Sequence, residues 1–178
     1  MSKNKNIGRD TLLALDLFAD EIMESFYFVI PDAIDKNNKK LETIFKIKGT
    51  NLLTQSECPK SLKKLIKTSK SKDGVYLYLC DLMPDGDISC DIRITSYVGF
   101  TPSFLHKELT FKFTKFGYSV ENLSEDLSKT SPDYLKELDK SIHAIKLELN
   151  HELLMNGGVL NNRKISKLTH EFCKIFTI

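Results

Sequence analysis

Four aspartates and two cysteines fall within twelve positions, Cys80-Asp-Leu-Met-Pro-Asp-Gly-Asp-Ile-Ser-Cys-Asp91. Clustered carboxylates can ligate a metal or share acid–base work, and paired cysteines can ligate zinc or close a disulfide. Each chemistry has a spacing it requires. A calcium loop of the EF-hand type needs alternating acids before its glycine and a glutamate at a fixed offset. In Asp85-Gly86-Asp87 the glycine lies between the acids, and no glutamate stands at that offset. Asp91-Ile92-Arg93 has arginine where a metal nuclease carries lysine. Cys58, Cys80, Cys90 and Cys173 form no CxxC pair, so no zinc spacing is present. His151-Glu152 and His170-Glu171 open like a zinc-protease helix, but Met155 and Lys174 stand where its second histidine belongs. No GxSxG elbow and no glycine-rich phosphate loop occurs. The motifs thus assign no catalytic residue, no metal and no cofactor.

Turn chemistry explains the stretch differently. Pro84, Asp85 and Gly86 suit a hairpin turn closed by Met83 and Asp87. Extending that register places Cys80 opposite Cys90, Tyr78 opposite Ile92 and Tyr76 opposite Ile94, an apolar face with two reduced thiols in contact. Asp81 and Asp91 fall on the other face as diagonal neighbours, about 7–8 Å apart, on an exposed acidic edge with Arg93 nearby.

The flanking elements are read from periodicity. Asp10 caps a helix whose apolar stripe runs through Leu12, Leu15, Ala19, Ile22 and Phe26, with Asp16, Asp20 and Glu24 on its other side; Ile30-Pro31-Asp32 ends it. Leu41, Thr43, Phe45 and Ile47 alternate as in a half-buried strand. Pro59 opens a short helix with Leu62, Leu65 and Ile66 inward and Lys60, Lys63, Lys64 and Lys67 outward. Val75–Leu82, Asp87–Thr95 and Glu108–Phe116 read as strands, the last with Leu109, Phe111 and Phe113 on one face. A long helix opens at Ser131-Pro132-Asp133, packs Leu135, Leu138, Ile142, Ile145, Leu149 and Leu153, and stops at Gly157-Gly158. Asn162 caps a final helix with Ile165, Leu168, Phe172 and Ile175 inward. The order α-β-α-β-β-β-α-α predicts an α+β fold, an antiparallel sheet of about four strands with helices packed on it.

Composition bounds the rest. The 178 residues are 41% hydrophobic and 28% charged, which fits a single domain over 1–178 with a full core. The opening MSKNKNIGRD lacks an apolar signal run, and no apolar stretch reaches membrane-spanning length. A cytoplasmic setting is expected, with no membrane partner. Charge is segregated: Lys36–Lys72 holds eleven lysines against Glu42 and Glu57, whereas Asp73–Thr95 holds five aspartates against Arg93.

In its size, absence of motif, charge segregation and lysine- and asparagine-rich composition, the chain resembles the cytosolic immunity proteins of bacterial polymorphic toxin systems, including contact-dependent growth inhibition. The resemblance implies a protein-binding module that pairs with one cognate toxin, often a nuclease, and masks its active site or an adjoining surface. The expected contacts are then Asp81, Asp85, Asp87 and Asp91, or Asp16, Asp20 and Glu24, facing toxin cations. The alternatives are a nucleic-acid-binding protein using Lys60, Lys63, Lys64 and Lys67, an enzyme with an unmarked site, and a secretion chaperone.

Overall fold

Residues 26–32, 36–47, 51–58, 60–61, 64, 75–84, 89–126 and 142–176 are described by the computed structural model of the chain. Eight strands run in chain order: β1 (Phe26–Ile30), β2 (Asn51–Thr54), β3 (Val75–Leu82), β4 (Ile92–Tyr97), β5 (Val120–Glu125), β6 (Ile142–Leu149), β7 (Met155–Asn156) and β8 (Val159–Leu160). The helices whose bounds are described are α1 (Lys36–Phe45), α2 (Ser103–Lys115) and α3 (Asn162–Phe176), with a 3-10 turn at His151–Leu153. Six strands form one sheet in the order β2-β1-β3-β6-β4-β5. β2, β1, β3 and β6 are mutually parallel. β4 runs antiparallel to β6 and parallel to β5. The fold is therefore α/β with a mixed, mostly parallel sheet, which corrects the expected four-stranded antiparallel α+β arrangement.

The central strands show why. β3 reads VYLYLCDL and is buried on both faces except at Asp81. Tyr76, Tyr78, Cys80 and Leu82 join the larger core beneath the helices, and Val75, Leu77 and Leu79 join a second core on the opposite face. Strands apolar on both sides belong at the centre of a parallel sheet covered on both faces. The hairpin between β3 and β4 does not exist. β3 pairs with β1 and β6, so β6 stands between β3 and β4, and Cys80 lies beside Leu147 rather than Cys90. All four cysteines are reduced thiols.

Four further elements change type. Lys36–Phe45 is helix α1, because Leu41, Ile44 and Phe45 bury together at helical spacing while Thr43 is exposed. Ser103–Lys115 is helix α2, burying Leu105, Leu109 and Phe113 and leaving Phe111 69% exposed. Ile142–Leu149, expected inside a long helix, is strand β6. Phe26–Ile30, the expected end of the first helix, is strand β1; the helix proposed from Asp10, with Asp16, Asp20 and Glu24, lies outside the described residues. Gly157 and Gly158 do not stop a helix. Both take positive φ, 58° and 79°, and close the β7–β8 hairpin, the conformation glycine adopts at no steric cost.

α3 forms as read, with Ile165, Leu168, Phe172 and Ile175 buried and Phe176 added. Its cap is Asn161 rather than Asn162: the Asn161 Oδ1 accepts from the Lys164 amide at 3.1 Å. Phe172 packs its ring 5.6 Å from Phe45 of α1 and 5.5 Å from Phe113 of α2. Phe176 reaches Phe28 of β1 at 5.0 Å and Tyr78 of β3 at 5.7 Å. These rings tie α1, α2 and α3 to one face of the sheet, each contributing roughly 1.5–3 kcal/mol by burial. No helix among the described residues is long and apolar enough to cross a membrane.

Candidate functional site

The opposite face of the sheet changes character along its strands. Near the start of β3 and β6 it is apolar, with Val75, Leu77, Ile142 and Ala144. Towards their carboxyl ends it becomes ionic. Asp81 of β3 is the register partner of Glu148 of β6, Glu148 of Arg93 of β4, and Arg93 of Glu121 of β5. A row of four charged residues thus crosses four adjacent strands. Lys146 lies two residues before Glu148 on the same face, its Nζ 3.7 Å from the Glu148 Oε1.

The strands fix this row. Register partners on neighbouring strands stand about 5 Å apart with side chains to the same side. The Arg93 Nε donates to the Glu121 Oε2 at 3.1 Å and its Nη2 to the Ser89 Oγ at 3.3 Å. The Cys90 thiol also reaches the Glu121 Oε2, at 3.6 Å. Asn150, buried directly after β6, receives the Glu152 amide on its Oδ1, and donates its side-chain amide to the Cys90 carbonyl at 3.0 Å and its backbone amide to the Asp91 carbonyl at 2.9 Å. Those bonds lock the end of β6 against the start of β4, so Glu148 and Arg93 cannot slide past one another.

Electrostatics set the protons. Burial raises the Glu148 pKa; Lys146 and Arg93 pull it down, while Asp81 and Glu125 push it up, and the net direction is upward. Burial also raises Asp81, against the lowering effects of the Leu82 amide bonded to its Oδ1 at 2.8 Å, of Lys146 and of His151. Both carboxyls are thus pushed upward by burial while neighbouring cations oppose the shift. No group of three or more His, Cys, Asp or Glu among the described residues is arranged to hold a metal ion.

The other expected residues are dispersed. Asp91 leaves the strand face and clasps the start of β5: its Oδ2 accepts from the Ser119 amide at 2.9 Å, and its own amide donates to the Ser119 Oγ at 2.8 Å. The acidic edge shared by Asp81 and Asp91 is therefore absent, and Asp81 has Glu148 as its neighbour. Asp85 and Asp87 lie outside the described residues, as do Lys63 and Lys67. Lys60 and Lys64 are exposed on helical backbone. Of the aromatics on the expected strands, Tyr76, Tyr78 and Phe113 are buried in the core and Phe111 is exposed. Sequence reading missed Glu148 and Lys146 by placing both on a helix. Their signal was the alternation of Ile142, Ala144, Lys146 and Glu148 against His143, Ile145, Leu147 and Leu149.

No family model matches the chain. No curated protein matches it either. Among solved structures, the N-formylglutamate amidohydrolase from Ralstonia eutropha JMP134 matches with a TM-score of 0.49 and 11% identity, over 71% of this chain and 55% of that one. The chain thus spans little more than half the length of that enzyme, and a likeness at this level carries no functional argument.

The immunity-type binding reading, drawn from size, composition and charge segregation, loses the first of its expected contact surfaces: β3 and β4 are not paired, and Asp81 is built into a half-buried ionic row beside Glu148; the other expected contacts, Asp16, Asp20 and Glu24, lie outside the described residues.

Proposed function

We propose that the protein is an enzyme working by general acid–base catalysis, with Asp81 and Glu148 as its proton-sharing pair. The observation that carries this reading is their juxtaposition on adjacent parallel strands, both pushed up in pKa by burial. An ordinary surface carboxyl donates a proton poorly near neutrality; an upward shift moves a carboxyl towards the acid role, and its neighbour can then serve as base. The step such a pair supports is hydrolysis of a small polar substrate. The ionised carboxylate takes a proton from water, the hydroxide adds to the substrate, and the protonated carboxyl gives its proton to the leaving group. Lys146 keeps the ionised member stable beside its partner, and Arg93, held by Glu121 and Ser89, fixes the far side of Glu148. The position, at the carboxyl ends of parallel strands, is where open α/β sheets place their ligands. A cytoplasmic setting, where thiols stay reduced, suits Cys58, Cys80, Cys90 and Cys173.

The test is a hydrolase screen of ester, amide and glycoside substrates against the wild type and the variants Asp81→Asn and Glu148→Gln. The expected result is turnover by the wild type with a bell-shaped pH profile, and a loss of about 10²–10⁴-fold in each variant. A substrate turned over equally by all three proteins would remove the pair from the mechanism, and no turnover across the three bond classes would end the reading.

A further inference from the structure

The ionic row holds hydrogen-bonding capacity that the fold leaves unused. Arg93 and Glu121 are committed, to one another and to Ser89. Asp81 spends one oxygen on the Leu82 amide at 2.8 Å. Glu148 is different. Only 8% of it is exposed, yet its carboxylate accepts no hydrogen bond from the described residues. The nearest cation, the Lys146 Nζ, stands 3.7 Å from its Oε1, beyond hydrogen-bond reach. Buried carboxylates ordinarily carry such bonds. The Lys146 ammonium likewise donates to no acceptor within hydrogen-bond distance among the described residues, and its side chain is 32% exposed, open to a ligand. Its register neighbour on β3, Leu79, offers no side-chain acceptor.

The unused donor and the unused acceptor stand side by side. Lys146 and Glu148 share one face of β6, while Leu147 between them is buried in the core on the other. A ligand group that fits both must accept from an ammonium and donate to a carboxyl through neighbouring atoms. An ester or a glycosidic oxygen only accepts. A trans secondary amide, like a peptide bond, points its N–H and its C=O in opposite directions. A primary carboxamide carries a carbonyl oxygen and, on the same side, an N–H. A hydroxyl also bridges a donor and an acceptor, through one atom, but presents no bond for the pair to hydrolyse.

We propose that Lys146 and Glu148 recognise a primary carboxamide, with its carbonyl oxygen on Lys146 and its N–H on Glu148, and that its C–N bond is the one the acid–base pair hydrolyses. This rests on the catalytic reading above and names its substrate class. The water oxygen adds to the carbonyl carbon as Asp81 takes the water proton. Lys146 holds the carbonyl oxygen as negative charge gathers on it. The C–N bond then breaks, and Glu148 gives its proton to the nitrogen. A protonated carboxyl keeps an oxygen that can still accept the amide N–H. Ammonia and a carboxylic acid leave, and the proton on Asp81 returns to Glu148. Water is the only co-reactant and no electron changes hands. Lys146 is thereby a catalytic residue as well as a counter-ion.

The experiment is an NMR titration of the full chain, following the Glu148 carboxyl carbon and the Lys146 side chain, with propionamide, N-methylpropionamide, methyl propionate and propanol as probes. The expected result is saturable shifts with propionamide, at an affinity about tenfold above the other three, the worth of one hydrogen bond to a charged group. Lys146→Met should weaken propionamide binding about tenfold and lower ammonia release by about 10²–10³-fold in kcat, with a smaller change in KM. The probe series is read on the wild type, so its outcome does not depend on the variant folding. No saturable shift with propionamide would overturn the proposal, as would equal affinity for N-methylpropionamide or propanol. An ester or glycoside hydrolysed through Asp81 and Glu148 by a protein that does not bind propionamide would overturn the carboxamide and leave the acid–base pair standing. Propionamide bound without release of ammonia would sustain the recognition and end the catalytic reading.

Discussion

Asp81 and Glu148 are direct register partners on parallel strands β3 and β6, at the place where the face they share turns from apolar to ionic. A carboxyl whose pKa is raised by folding is held more protonated in the folded chain than in the unfolded one. Between the ordinary carboxylate value and the raised one, the folded state binds more protons, so its stability falls as pH rises through that window. Below the window the penalty is absent; above it the penalty is complete. Glu148→Gln removes it. The variant is expected to be more stable than the wild type at about pH 8, with the difference shrinking towards about pH 4, where the carboxyl is protonated in both states. Urea midpoints at the two pH values measure this. A variant less stable than the wild type at both would mean that Glu148 serves the fold as an ion-pair member.

The cations around Glu148 make a ranked prediction. Lys146 lowers its pKa more than Arg93 does. Lys146→Met should therefore raise the Glu148 pKa further than Arg93→Met, and both should raise it above the wild-type value. Carboxyl carbon shifts of Glu148 followed across a pH titration give the order directly, and the reverse order would refute the arrangement.

Phe172 touches Phe45, Phe113, Tyr118 and Phe176 and is fully buried. Phe172→Ala should cost about 3–5 kcal/mol, the loss for a buried aromatic whose neighbours cannot collapse into the space. Denaturant unfolding gives the figure. A loss below about 1 kcal/mol would mean that α3 is not fastened through this ring.

Asn161 and Asn162 separate a cap from its neighbour. Asn161→Ala should destabilise by about 1 kcal/mol, since its side chain serves the Lys164 amide. Asn162→Ala, on an exposed residue inside the helix, should change stability by a few tenths of a kcal/mol or less. Equal losses at the two positions would contradict the cap assignment.

The thiols should react in an order set by burial. Cys58 is fully buried with its pKa raised to about 11, and Cys80 is buried with its pKa pushed up. Cys173 is half-exposed. The thiolate is the reactive form, so native-state alkylation near pH 8 followed by mass spectrometry should label Cys173 first. Labelling of Cys58 as fast as Cys173 would show that the strand face over Cys58 opens readily.

What the sequence revealed depended on whether two periods could be told apart. Ile165, Leu168, Phe172 and Ile175 fit a helix and nothing else, so α3 was legible apart from its cap, which is Asn161 and not Asn162. Val75–Leu82 was legible as a strand, because its apolar run is rich in valine and tyrosine. Leu41, Ile44 and Phe45 satisfy the helical period while Leu41, Phe45 and Ile47 satisfy the alternating one, and only packing decides. Leu109, Phe111 and Phe113 posed the same choice: the helix buries two of the three and spends Phe111 on the surface. Ile142, Ile145 and Leu149 step like a helix, which hid β6. With β6 hidden, β3 and β4 became each other's only partners, and Asp91 took the place beside Asp81 that belongs to Glu148. Half of the carboxyl pair, Asp81, was therefore readable from its own neighbourhood. Its register partner Glu148 was not, because the two are distant in sequence and only sheet order brings them together.

Reversing β4 and β5 against the other four strands has a geometric consequence for the whole molecule. A wholly parallel sheet has one mouth, the rim where every strand ends. This sheet has two, because β3 and β6 finish at one rim and β4 and β5 finish at the other. The seam between them is the β6–β4 ladder, from Ile92–Leu149 to Ser96–Ile145, so the carboxyl ends of β6 and β4 lie at opposite ends of that one ladder.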